Sequence, residues 1–413
     1  MARAAWFPSA PDDMNSPDSI HPLAETTVLI TRAFQIERGL VRALGGWMAG
    51  VPYWDAKFAL GDHLGAHAQC AARLLKRLHE LKESSAERQD AGAIDAFLRL
   101  LVAAPGADDF LAGAYGRLLP RLAKVYHEWA TRTDPVMDPL TRRIFTEAAT
   151  AAEEQAQWFP GYQPAFSPEP LPRKTSWSEQ LGDVLEELEF EGGGWRDGIP
   201  AAVRAAQAAG AFAGFATPRR DACFRTAYFN EVARRGGTAF AEVRRTIFYN
   251  HTQEMQFAES LGATLYDTPE MPWAFHFDLA RHCWDEIKHT RMGCTRLAQL
   301  GEDLRQFPML LQNYSLRAKL GPVERFCMMT LVIEASSFEK KRANVKLFQE
   351  HGDEISARYE SYDIRDEMMH VTLGHTWVPI LLRVTQDARS VTDLVNHCRE
   401  VLDDALKDER RAS

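Results

Sequence analysis

The sequence predicts a mainly α-helical protein. Apolar residues recur at helical spacing along almost the whole chain, and alternating runs typical of strands are scarce. Proline and glycine mark the breaks between the helical segments. The chain has 413 residues, which at roughly 150 residues per domain is enough for two or three domains with real cores. We therefore expect more than one helical unit.

A proline-rich stretch divides the chain. Residues 159–173 contain five prolines and predict a linker between two helical units. The predicted organisation is a tail at 1–22, an N-terminal helical domain at 23–158, a linker with connecting helices at 159–224, a C-terminal helical domain at 225–385, and a final helix or tail at 386–413.

Composition narrows the function classes. Lys and Arg number 48 against 57 Asp and Glu, a net charge of −9, which argues against nucleic acid as a partner. No secretory signal and no apolar stretch of ~20 residues is visible, so we expect a cytoplasmic protein without a membrane span. Six cysteines without a C-x-x-C pair argue against a disulfide framework and against a cysteine-based zinc or iron site.

Four long helices are predicted in the C-terminal domain. The first runs from about Thr238, a candidate N-cap, to Leu261; the second and third open at Pro272 and Pro322, and the fourth follows Gly352. Short connections make helices one and two, and three and four, antiparallel neighbours. The link at 301–321 is long enough, at up to ~60 Å when extended, to run back along a helix. This pattern predicts a bundle with one long crossover.

Charged side chains interrupt the apolar stripe of each of these helices. The six residues are Glu254 on the first helix, Glu286 and His289 on the second, Glu334 on the third, and Glu367 and His370 on the fourth. Residues three apart on a helix point from one face, so each Glu-x-x-His pair can hold one metal ion. Burying four carboxylates without metal or paired cations would be costly. The set therefore predicts a dinuclear metal site with bridging carboxylates.

These residues, in this order and with a long crossover in the middle, resemble the ligand pattern of the ferritin-like di-iron carboxylate superfamily. The stretch 271–289 is similar to a little-characterised bacterial branch of that superfamily. The resemblance implies a ferritin-like four-helix bundle and two iron ions as the cofactor, with Fe/Mn and Mn/Mn pairs as alternatives.

Five further residues are candidates for extra ligands or supporting roles. Asp285 and Asp366 each precede a Glu-x-x-His motif, and the resemblance implies that they accept hydrogen bonds from ligand histidines on neighbouring helices. A solvated aspartate is the alternative. His282 and Asp363 lie one turn before predicted ligands, so either could be a seventh ligand, although for His282 we favour a hydrogen bond inside the bundle. His251 occupies a similar position before the first glutamate.

A shift of 219 residues aligns part of the N-terminal domain with the C-terminal one. It places Phe58, Leu60, His63 and Leu78 on Phe277, Leu279, His282 and Leu297, and the first three ligand positions on Gln35, His67 and Cys70. We expect residues 23–158 to form a second, degenerate ferritin-like bundle without the dinuclear site; chance likeness among amphipathic helices is the alternative. His63 and His67, four residues apart, could bind a metal by themselves, but hydrogen bonding is the more common role.

The resemblance implies an enzyme, a non-haem dinuclear metal oxidoreductase. We expect an oxidase or oxygenase that uses O₂ to oxidise a small organic substrate by hydroxylation, N-oxygenation or desaturation, with electrons from an external donor or from the substrate. A manganese catalase or peroxide-detoxifying protein and a non-enzymatic, metal-stabilised docking module are the alternatives. A homodimer is compatible with this interpretation. The run Lys340–Arg342 is expected on a solvated helix face.

Overall fold

Helices dominate the computed structural model of the chain, which describes residues 20–83, 87, 92–166, 171–188, 212–227 and 239–411. The predicted mainly α class is confirmed. Most of the predicted N-terminal tail, much of the predicted connecting region and the candidate cap Thr238 lie outside the described residues. Within the described ranges, no helix is both long and apolar enough to cross a membrane.

The first unit is a set of packed helices. They are α1 (Leu23–Met48), α2 (Trp54–Glu80), α3 (Gly92–Val102), α4 (Ala107–Gly113), α5 (Leu119–Arg132), α6 (Pro139–Gly161) and α7 (Ser176–Glu187). A π-helical turn, Ala114–Leu118, joins α4 to α5. At the start of α6, Pro139 occupies the first helical position, where a backbone N–H would have no partner within the helix. The Asp138 carboxylate caps this end by accepting from the Thr141 N–H at 3.1 Å. Helix α6 continues through Pro160.

The second unit follows a two-residue strand, β1 (Thr226–Ala227). Its elements are α8 (Phe240–Thr252), α9 (Met255–Asp267), α10 (Trp273–Gln299), β2 (Met309–Leu310), α11 (Gln312–Arg317), α12 (Pro322–Cys327), α13 (Phe338–Glu350), α14 (Glu354–Val384) and α15 (Val391–Arg411). Helices α8 and α9 both pack on α10, and α13 packs on α14.

Two of the four predicted helices are interrupted in the structure. The first breaks at Gln253–Glu254, between α8 and α9. The Glu254 N–H donates to the His251 carbonyl at 3.1 Å, three residues back, and this tighter turn ends the regular α-helical pattern. The third helix contains a π turn at Met328–Ile333 and a 3₁₀ turn at Glu334–Ser336 between α12 and α13. Both breaks fall at predicted metal ligands, and π turns often occur at functional sites.

The crossover at 300–321 is held by side chains of the first bundle helix. The Gln253 side-chain oxygen accepts from the Leu310 N–H at 2.8 Å, and that of Gln256 accepts from the Tyr314 N–H at 3.1 Å. Strand β2 pairs in parallel with β1, with Thr226 opposite Met309. The long connection is therefore ordered and runs along α8 and α9.

The two units pack directly on each other. Helix α1 contacts α9 and α2 contacts α10, and one hydrophobic core extends through both units. The α1–α9 contact is close at a pair of glycines: a Cβ added to Gly45 would lie 2.9 Å from the Gly262 carbonyl oxygen. A buried charge network crosses the same boundary, because the Lys57 ammonium and the Arg220 guanidinium both contact Glu259 at 2.6 Å.

The units also share local features. Helices α2 and α10 each have 27 residues, and their bounds differ by the 219-residue shift found in the sequence. Each unit also contains a π turn, at Ala114–Leu118 and at Met328–Ile333. That residues 23–158 form a second, degenerate ferritin-like bundle remains a prediction.

Candidate metal centre

Acidic and histidine side chains meet in the interior of the second unit. The six predicted ligands are all buried there: Glu254, Glu286, His289, Glu334, Glu367 and His370. Four overlapping groups of three or four residues each have one nitrogen or oxygen atom per residue within 4.8 Å of the others. Such spacing allows a single cation to contact several members of a group at once.

The first group joins α10, α14 and the 3₁₀ turn after α12. It contains His282, Glu286, Glu334 and His370. The His370 Nδ1 atom lies 3.4 Å from Glu286 Oε1 and 3.7 Å from Glu334 Oε1. His282 Nε2 lies 2.8 Å from the same Glu334 oxygen and 3.5 Å from the same Glu286 oxygen. Two imidazoles and two carboxylates thus surround one position.

The second group contains Glu254, Glu286 and His289. His289 Nδ1 lies 3.4 Å from Glu254 Oε2 and 3.9 Å from Glu286 Oε2. Glu286 belongs to both groups, with one oxygen near each. Glu286 therefore presents one carboxylate oxygen to each of these two groups.

Glu367 is held differently from the other predicted ligands. Its carboxylate contacts the Lys341 ammonium at 2.7 Å and accepts from the Ser337 hydroxyl at 3.2 Å. It shares a group with His289 and Asp363, not with His370. Burial raises the pKa of Glu367 to about 8, although Lys341 acts in the opposite direction.

The two aspartates before the histidine motifs lie across from each other. Asp366 Oδ2 is 3.1 Å from His289 Nε2, and Asp285 Oδ2 is a longer 3.5 Å from His370 Nε2. The Lys288 ammonium contacts both aspartates at 2.7 Å. Each aspartate thus faces the histidine of the neighbouring helix. The His289–Asp366 contact directs the other ring nitrogen, Nδ1, towards the second group.

His251 lies beside the centre. Its Nδ1 atom is 3.1 Å from Glu254 Oε1, and its Nε2 atom contacts the buried Glu360 carboxylate. The other Glu360 oxygen accepts from the Asn344 side chain at 3.0 Å. His251, Glu254 and Asp363 form a further group. Gly293 permits this arrangement, because a Cβ there would lie 2.7 Å from the Phe248 carbonyl on α8.

Buried ligand atoms in the centre lack hydrogen-bond partners. Among the described residues these include both Glu286 oxygens, one oxygen each of Glu254 and Glu334, Nδ1 of His289, and both ring nitrogens of His370. A buried polar atom left without a partner costs about 1–3 kcal/mol. Oxygen and imidazole donors are the set that iron and manganese accept. The residues present are therefore of the kinds that could hold such an ion.

Residues 201–413 match a family described as "Protein of unknown function (DUF455)". This match covers just over half of the chain. The chain belongs to the DUF455 family. No curated protein and no solved structure gives a significant match. The DUF455 region contains every residue of the four groups described above.

Three charged residues of the DUF455 region enter this interior without having been predicted as site residues. Lys341 has an ammonium that contacts Asp363 at 2.6 Å, so the expectation that Lys340–Arg342 is a fully solvated run is wrong for its middle member. Glu360 and Arg317 are also buried. Burial lowers the pKa of Arg317 to about 9, and the negative charges of Glu286 and Glu334 oppose that shift. Spacing was the available signal: Lys341 follows Glu334 by seven positions, two helical turns.

The N-terminal unit, outside the DUF455 region, has a hydrogen-bonded interior at the corresponding place. His67 Nδ1 lies 2.7 Å from a Glu37 oxygen and its Nε2 lies 2.9 Å from the Gln155 side-chain oxygen. The Tyr126 hydroxyl donates to the other Glu37 oxygen at 2.7 Å. His63 contacts the Tyr115 hydroxyl at 2.8 Å. The two histidines thus have separate partners, as expected for hydrogen-bonding rather than ligand histidines.

Proposed function

We propose that this protein is a non-haem dinuclear metal oxidoreductase, with two iron ions or an Fe/Mn or Mn/Mn pair, that uses O₂ to oxidise a small organic substrate. The observation that carries the proposal is the convergence of the six predicted ligands in one buried interior, with ligand atoms unsatisfied and Glu286 between two groups. A chain that required only a packed core would not retain so many buried carboxylates.

We further propose that the second unit is a ferritin-like bundle. The bundle would have four helical segments: α8 together with α9, α10 alone, α12 together with α13, and α14 alone. The crossover at 300–321 would be its long connection. Each segment contributes at least one predicted ligand or directly adjoins one. This distribution is the one used by carboxylate-bridged metal pairs in bundles.

A reduced pair of iron ions supplies electrons for O₂ chemistry when it is bound. The side chains of this protein would hold and orient that pair. Glu286 presents one oxygen to each group, Asp366 fixes the ring of His289, and His251 restrains Glu254. The ligands are at most 8% exposed, so bulk water is largely excluded from the centre.

Metal analysis and a comparison of two oxidants test the proposal. The protein purified without chelator is expected to contain about two transition-metal ions per chain, and the form reduced under anaerobic conditions is expected to consume O₂. An E286Q variant should lose both properties, because Glu286 lies in both groups. Rapid disproportionation of H₂O₂ with no O₂ consumption would instead indicate a catalase. Stable metal binding with neither reaction would indicate a structural module.

A further inference from the structure

His282 occupies a position in the centre that differs from that of an ordinary buried histidine. It is completely buried, and its ring stacks on that of His370 with centroids 3.6 Å apart. Its Nε2 atom faces Glu334 and Glu286 oxygens at 2.8 and 3.5 Å. The two stacked rings therefore present nitrogen atoms to the same two carboxylates. Two imidazoles side by side with paired carboxylates form a typical set for a transition-metal ion.

Glu367, in contrast, is occupied by a cation from the protein itself. The Lys341 ammonium lies between Glu367 and Asp363, 2.7 and 2.6 Å from their oxygens, and its side chain is only 12% exposed. Ser337 donates to the other Glu367 oxygen. Both oxygens of Glu367 thus have donors, whereas both oxygens of Glu286 have none. An ammonium is a compact positive charge with three N–H donors, so it can contact two carboxylates at once without a metal ion.

We propose that His282 is a ligand of the ion surrounded by Glu286, Glu334 and His370, and that Lys341 retains Glu367 as an ion-pair partner instead of a metal ligand. The inference rests on the proposed function, because it assigns ligands within the same centre. Three histidines would then serve the pair of ions. The position with His282 and His370 would be richer in nitrogen than the position with Glu254 and His289. The two positions would therefore be inequivalent, and an ion would bind to each with a different affinity.

Equilibrium dialysis against Co²⁺ alone, followed by metal analysis, tests the assignment on the full-length protein. Wild type is expected to bind two ions. H282Q is expected to bind one of the two ions about 10- to 100-fold more weakly. This loss of affinity is at least as large as the loss caused by removing a residue that only supports a ligand. E367Q is expected to keep both ions. H276Q is the matched control, because His276 is another buried histidine of α10, contacts the Thr268 carbonyl and belongs to none of the groups.

A spectroscopic measurement separates ligation from a packing role. X-ray absorption at the cobalt edge should show imidazole scattering for three histidines per pair of ions in wild type and in H276Q, and a smaller contribution in H282Q. Retention of both ions and of full imidazole scattering in H282Q would overturn the inference, as would loss of an ion in E367Q. In both cases wild type would still bind two ions, and the proposed function would stand. Failure of wild type to bind Co²⁺ would instead refute both.

Discussion

His289 and Asp366 form a contact of 3.1 Å between helices α10 and α14, from the Nε2 atom of the ring to a carboxylate oxygen. The contact leaves Nδ1 directed at Glu254 and Glu286. A histidine ligand is oriented by the partner of its other nitrogen, and that partner also increases its basicity. The aspartate therefore acts on any bound ion through His289.

D366N is expected to weaken metal binding about 10- to 100-fold, because an amide is a poorer acceptor and does not polarise the ring. The measurement is a Co²⁺ or Mn²⁺ titration of the metal-free protein. D404N is the control, since Asp404 pairs with Lys407 on the surface and its side chain is 72% exposed. Equal affinities for D366N and wild type would refute the positioning role.

Metal binding should stabilise the protein against unfolding. A ligand that binds only the folded state adds about 2.7 kcal/mol when its free concentration is 100 times its Kd. The midpoint of thermal unfolding is therefore expected to rise with added Mn²⁺ and to fall again with a chelator. E286Q should lose most of this rise, and E302Q, a partly exposed residue outside the groups, should keep it. An equal rise in all three proteins would indicate that the metal binds elsewhere.

Asp353 supports the start of α14, the helix that carries Glu367 and His370. Its carboxylate caps the helix by accepting from the Ser356 N–H at 3.1 Å and contacts Arg296 at 2.7 Å and Arg244 at 2.8 Å. D353A is expected to lower the free energy of unfolding by about 3 kcal/mol or more, because it removes a cap and leaves the buried Arg296 without its carboxylate partner. The check is denaturant unfolding, and D404A, in an exposed ion pair with Lys407, should cost less than about 1 kcal/mol.

The pH dependence of this contribution follows from the pKa of Asp353. Burial alone raises it, but the hydrogen bonds from Arg244, Ser356 and Arg296 outweigh burial and lower it to about 2, below the ordinary value of 3.8. The folded state therefore binds the proton less readily than the unfolded state. The stabilisation is fully present above about pH 4 and is lost as the pH falls towards 2. D353N should lack this part of the acid-induced loss of stability.

The Lys57–Glu259–Arg220 network should be essential for the packing of the two units. E259Q removes the negative charge and leaves two buried cations, so we expect a loss of about 3–5 kcal/mol in denaturant unfolding. E147Q, in an exposed pair with Arg73 and Arg143, is expected to cost less than about 1 kcal/mol. Similar losses in both variants would show that burial of the network contributes little.

Lys57 should also make the stability of the protein depend on pH in the alkaline range. Burial lowers the pKa of Lys57 from 10.5 to about 8, although Glu259 opposes the shift. Between these values Lys57 holds a proton in the unfolded chain that it has lost in the folded chain. The free energy of unfolding therefore increases as the pH rises from about 8 to 10.5. Denaturant unfolding over that range should show the gain in wild type and not in K57M.

Helical spacing was sufficient to predict the mainly α fold class and the apolar stripes of the helices. It also identified the six residues that meet in the second unit, because a regular helix fixes which positions share a face. It failed where the helices are irregular. The π turn at Met328–Ile333 and the 3₁₀ turn at Glu334–Ser336 interrupt the third predicted helix before α13 begins. The break at Gln253–Glu254 lies beside a hydrogen bond from the distant Leu310 N–H to the Gln253 side chain, a contact that helical spacing does not predict.

The contact of α1 with α9 and of α2 with α10 joins two similar helical units within one chain. In a dimer of separate chains, such a contact dissociates on dilution. Here the connecting segment keeps the effective concentration of each unit for the other high, so their pairing does not depend on how much protein is present. The close approach of Gly45 and Gly262 thus joins two helices of different sequence and occurs once per chain. The second unit can therefore carry the predicted ligands while the first unit carries different buried residues.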